Sequence, residues 1–201
     1  MDELRLGLNQ YCGPAVLSIF TGLSTDTCAD AISRVNGKHK ITGVIPADLI
    51  KAGELLGIEI KKNEAFTGRS LFWSASAISH FVNTKWIIVV PKHYIAIEVD
   101  NEGNIQICDN HTKTPINLQN SARLSQKVEE VFKVTKVRDY IVPKLTSIEW
   151  EINFSGSRVL ISRIHKFDDG TAKLYQMGSF EAPLDKNQYQ EIAFALMKLG
   201  E

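Results

Sequence analysis

Between Trp86 and Asp109 the sequence changes its rhythm, and that change constrains the fold more than any other feature of the chain. Trp86-Ile87-Ile88-Val89-Val90 is a continuous apolar run, as a central strand requires. Pro91-Lys92 breaks it. His93-Tyr94-Ile95-Ala96-Ile97-Glu98-Val99 reads as a second strand, Asp100 to Asn104 as a turn, and Ile105-Gln106-Ile107-Cys108-Asp109 as a third strand. Strands joined by turns this short are antiparallel.

Helical patterns come first in the chain. Residues 14–22 read as a helix ended by Gly22, and Ser24 or Thr25 as the N-cap of a second helix, Asp26 to Val35, closed by Asn36-Gly37. Pro46 opens a third, Ala47 to Leu56, followed by Gly57 and a short alternating strand, Ile58 to Lys61. Leu71, Phe72, Ala75, Ile78 and Phe81 recur at near-helical spacing over residues 70–83. Residues 110–127 are polar and read as loop, and Lys133 to Val137 as a strand. Helices before antiparallel strands give an α+β fold with the helices packed on one side of the sheet. Ile141-Val142-Pro143-Lys144 reads as a boundary, giving a first domain over 1–143 and a small second one over 144–201. The latter carries strand patterns at Glu149–Phe154, Arg158–Ile164 and Ala172–Tyr175, then an amphipathic helix from Lys186 to Leu199.

The chemistry of the chain concentrates at Asn9-Gln10-Tyr11-Cys12-Gly13-Pro14-Ala15. Pro is favoured in the first turn of a helix, where its missing N–H is not needed. Cys12 therefore sits at a helix N-terminus, where free amides and the helix dipole favour a thiolate. An ordinary buried cysteine needs neither the Gly-Pro after it nor the Gln-Tyr before it. A thiolate nucleophile needs a base, and the chain holds five histidines: His39, His80, His93, His111 and His165. His93 is the strongest, because it opens an alternating strand beside a central one. Asp109 ends the next strand, 16 residues on, and a hairpin turning near Glu102-Gly103 brings the two roughly opposite each other. Such an acid fixes the tautomer of the histidine and stabilises its imidazolium.

These residues resemble those of papain-like cysteine peptidases, closest to the bacteriocin-leader-processing peptidase domains. In those domains Cys-Gly-Pro-Ala or a close variant opens the first helix and the histidine opens a His-Tyr/Phe-apolar strand. The resemblance covers about residues 4–110 and implies a papain-like fold, hydrolysis of peptide or isopeptide bonds, and a Cys12–His93–Asp109 mechanism. In the resembled family the acid is usually followed by Pro; here Asn110 follows and is an alternative orienter. The oxyanion donors implied are the Cys12 backbone N–H and a glutamine about six residues before the cysteine. Leu6 stands at that place, so the role falls to Gln10. The displaced glutamine also suits a second reading, a catalytically inactive binding protein on a peptidase-like scaffold. Tyr11 and Trp86 read as packing residues.

Formal net charge is +0, so no bulk charge points to nucleic acid or a membrane. No apolar run reaches 18 residues, and Met1-Asp2-Glu3-Leu4 lacks a signal-peptide pattern, so a cytoplasmic location and no membrane partner are expected. Cys12, Cys28 and Cys108 form no C-x-x-C spacing, and neither metal nor cofactor is expected. The expected partner is a protein or peptide substrate. Residues 147–199 faintly resemble the single-strand-DNA-binding domain of transcriptional coactivators, which implies single-stranded nucleic acid as a further partner. Residues 144–201 hold seven Lys/Arg against eight Asp/Glu, which lacks the basic footprint of such a domain and leaves a substrate- or partner-positioning module as the alternative.

Overall fold

The structure, a computed structural model, describes residues 4–38, 41–155 and 158–181. The chain divides into two compact units, the first of residues 1–36 and 40–141, the second of 142–201 with 37–39. It is a mixed α-helix and antiparallel-sheet protein.

In the first unit α1 (Cys12–Thr21), α2 (Thr25–Asn36) and α3 (Pro46–Leu55) precede β1 (Ile58–Lys62) and α4 (Leu71–Ile78). The strands β2 (Thr84–Val90), β3 (His93–Val99), β4 (Ile105–Cys108), β5 (Ile116–Asn117) and β6 (Glu130–Lys136) follow. With β1 they form one six-stranded sheet in the order β1-β6-β2-β3-β4-β5, antiparallel throughout, in which β6 returns to pair with both β1 and β2.

The helix α1 is buried from Gly13 through Phe20, as its largely apolar sequence requires, and the one polar side chain in that stretch, Ser18, donates to the Leu23 carbonyl. It ends at Gly22, whose φ of 72° lets its N–H cap the Ser18 carbonyl. Ser24 Oγ accepts from Thr27 N at 3.2 Å and caps α2. These helices cover one face of the sheet, where Ile58, Ile60, Ile87, Val89, Tyr94, Ala96, Phe132 and Val134 meet Leu17, Ile19, Ile32 and Leu49.

The expectation of helices on one side only does not hold. Leu71, Ala75 and Ile78 of α4 pack with Trp86, Ile88, Val90, Ile95, Ile97 and Val99 on the opposite face. The unbroken apolar run of β2 reflects this: neighbouring residues point to opposite faces and both faces are covered. The helix is also shorter than its apolar spacing predicts. Phe81 leaves the helical line to meet Phe66 and Trp86 edge-on, and Asn83, at φ 54°, turns the chain into β2. Residues 110–127 are not all loop, since Ile116 pairs with Ile107 to add the edge strand β5.

The second unit is a three-stranded antiparallel sheet, β7 (Leu145–Ser155), β8 (Arg158–Phe167) and β9 (Ala172–Glu181), in chain order. The helix expected from Lys186 to Leu199 lies outside the described residues.

Candidate active site

Cys12 is delivered by a segment pinned from the side. Thr25 Oγ1 accepts from Gly7 N at 2.8 Å, and the two Asp26 carboxylate oxygens accept from Leu8 N and Asn9 N at 3.0 and 2.9 Å. Asn9 Oδ1 then accepts from Tyr11 N at 3.1 Å. The approach is close: a Cβ on Gly7 would lie 2.1 Å from Asp26 Oδ2. Tyr11 caps α1 with extended backbone and no side-chain bond, which leaves the first amides of the helix, that of Cys12 included, free of a side-chain cap. Gly13 leaves room for Val44, since a Cβ there would lie 2.7 Å from Val44 Cγ2. Tyr94 donates its hydroxyl to the Val44 carbonyl at 2.9 Å and so fixes that wall. Gly13→Ala is expected to cost about 1–3 kcal/mol through overpacking, read as a lower denaturation midpoint, and Val44→Ala in the same chain should recover most of it.

His93 opens β3 after the Pro91-Lys92 turn, opposite Val90. Its Nε2 lies 2.7 Å from Asp109 Oδ2, and both side chains are buried. Asp109 is held from behind: its Oδ1 accepts from His111 N and Thr112 N, both at 2.8 Å. With Nε2 engaged, Nδ1 is the ring nitrogen left to serve Cys12. Burial pushes the Cys12 thiol up, but hydrogen bonding from the His93 ring, the Tyr94 N–H, the His93 charge and the Cys12 N–H together bring it below its ordinary value. Burial opposes the His93 imidazolium, yet bonding to Asp109 and then Cys12 raises His93 against it and against the Arg123 charge. Burial likewise opposes the Asp109 carboxylate, and His93 with the two backbone amides holds its acid well below the usual range. Cys28 is the contrast, its thiol pushed up to about 12 by burial.

Cys12, His93 and Asp109 are therefore brought together. Asn110 is not the orienter; its Nδ2 donates to the Gln10 carbonyl at 2.9 Å. The Gln10 side chain is exposed and is not among the residues lining the cleft. That cleft has a volume of about 710 Å³, and Cys12, His93, Val44, Tyr94, His111 and Glu129 are among its walls. His111, whose ring centre is 5.2 Å from that of His93, and Arg123, 3.6 Å from Asp109, carry no local sequence signal that marks them as neighbours of the site. Among the described residues no group of three His, Cys, Asp or Glu side chains could hold a metal, and no helix is long and apolar enough to cross a membrane.

In the second unit, the Tyr175 ring is attended by Lys173 Nζ at 5.0 Å, the Arg163 guanidinium at 5.6 Å and the His165 ring at 4.7 Å. No family model matches the chain, and no curated protein does.

Proposed function

We infer that this protein is a cysteine peptidase or related amide hydrolase of papain-like type, acting on a protein or peptide substrate. One observation carries the reading: the helix-start thiol of Cys12 lines one cleft with His93, whose Nε2 lies 2.7 Å from the buried Asp109 carboxylate. Support for the papain-like assignment comes from a nucleophile helix laid on an antiparallel sheet in which β3 opens with the base and the acid directly follows β4. Three free cysteines suit a reducing compartment and a cytoplasmic location.

In this reading the Cys12 thiolate attacks the substrate carbonyl carbon, forming a C–S bond while the carbonyl electrons move to oxygen. The Cys12 backbone N–H donates to that oxyanion. Collapse breaks the C–N bond, and the His93 imidazolium gives its proton to the leaving amine. Water then attacks the thioester, His93 takes its proton, and the tetrahedral species expels the thiolate to release a carboxylic acid. Asp109 holds the ring in place through both steps and stays ionised.

An electrophilic peptide probe should label the protein at Cys12, mapped by mass spectrometry, and Cys12→Ala should abolish the label. Equal labelling of Cys12→Ala would reject the reading. The exposed Gln10 side chain favours a second one, a catalytically inactive peptidase-like binding protein. It would stand if Cys12 takes the probe but no member of a diverse peptide library is cleaved.

A further inference from the structure

Arg123 lies behind Asp109 with its Nε 3.6 Å from Oδ2, the same oxygen that His93 Nε2 meets at 2.7 Å. It is not a loose surface cation. Its side chain is 26% exposed, its Nη1 donates to Gln126 Oε1 at 3.4 Å, and its backbone N–H donates to Ser121 Oγ at 3.2 Å. The loop that carries it is tied to the start of α4. Leu71 N and Phe72 N donate to the carbonyls of Gln126 and Leu124 at 2.8 and 3.0 Å. The helix on the face away from the nucleophile therefore reaches the site through this loop. Asp109, Ser121, Arg123 and Gln126 line a cavity of about 310 Å³ there.

Asp109 does not need Arg123 to stay in place, because two backbone amides already hold its Oδ1. What Arg123 alters is charge. Building on the hydrolase reading, the geometry points to Arg123 as a positioning residue that shares Asp109 Oδ2 with His93 and so sets how readily the imidazolium releases its proton. A carboxylate facing one cation holds that cation's proton firmly, and a second cation on the same oxygen weakens the hold. The groups acting on His93 are Cys12 and Asp109, which favour its charged form, Arg123, which opposes it, and the adjacent His111 ring, while Lys92, Glu129 and Glu130 line the same cleft. An imidazolium that must protonate a leaving amine works best when its pKa lies near the working pH.

The test is a ¹⁵N-imidazole NMR titration of the full chain carrying Cys12→Ala, so that the midpoint belongs to His93 and not to a coupled pair. Adding Arg123→Gln should raise the His93 midpoint by about half a pH unit, and Arg123→Lys should leave it near its starting value. An unchanged or lowered midpoint in Arg123→Gln overturns the proposal, as does a Lys variant that shifts as far as Gln. Should Arg123→Gln not fold, Gln126→Ala removes only the amide that steers the guanidinium. An upward shift there supports the proposal, and its absence overturns it. Because the nucleophile is missing throughout, these outcomes are independent of whether Cys12 takes the peptide probe.

Discussion

Iodoacetamide should alkylate Cys12 rapidly at pH 6, and His93→Ala should cut that rate by about 10- to 100-fold. A free thiol with a pKa of about 8.5 is almost wholly protonated at pH 6. His93 lowers the Cys12 thiol and is itself raised, since each charge favours the other and Asp109 supports the imidazolium. The sign follows: with the imidazole removed, burial is opposed only by the Tyr94 and Cys12 N–H groups, and the thiol's midpoint moves up. The gain in thiolate fraction is partly offset because a less basic thiolate is a weaker nucleophile, so the expected loss is smaller than the change in thiolate fraction. Background labelling should be small, because Cys28 and Cys108 are buried. His80→Ala and His165→Ala serve as controls. His111→Ala does not, since its ring packs against His93. A wild-type midpoint above pH 8 that His93→Ala leaves unchanged would reject the pair.

Much of this site was legible because it is built from local signals. Pro14 marks the helix start that places Cys12, and the Pro91-Lys92 break marks the strand start that places His93. Asp109 follows from hairpin arithmetic with one difference. The observed register pairs Ala96 with Cys108, so continuing it would set His93 opposite His111, with Asp109 two pairs nearer the turn. The His93–Asp109 contact is therefore diagonal, which long side chains can span. The Asp26 clamp, the Tyr94–Val44 bond and the approach of Arg123 join residues 18, 50 and 14 positions apart. No periodicity or motif announces such pairings; only the packed chain makes them.

The fold divides in the same way. The strands β2, β3 and β4 and the three leading helices were readable from period and punctuation, and their ends moved by a residue or two because caps and frayed turns blur boundaries. What was not readable was which face each helix covers. Apolar positions on α4 show that one side must be buried but not against what, and only β2, apolar on both faces, hints that a second layer exists.

Trp86→Ala is expected to destabilise the protein by about 3–5 kcal/mol in chemical denaturation, the usual cost of emptying a large buried aromatic site. Trp86 is 1% exposed and sits mid-strand in β2, opposite Ile97 on one side and Lys133 on the other. Phe66 and Phe81 meet its ring edge-on with centroids 5.9 Å away, and its Nε1 donates to Thr84 Oγ1 at 2.7 Å. Truncation therefore removes two aromatic contacts, leaves a cavity beneath α4 and strips Thr84 of its donor. Trp86→Phe, which keeps a ring in place, should cost markedly less. The loss falls on the face that holds α4, whereas Cys12 lies against the other layer. The pH-6 alkylation rate of the folded Trp86→Ala protein should accordingly stay within about twofold of wild type, since distant sites act nearly independently. A stability loss under about 1 kcal/mol would show that Trp86 is not a keystone of that layer. An alkylation rate that falls with the stability would show that the two faces of the sheet are coupled.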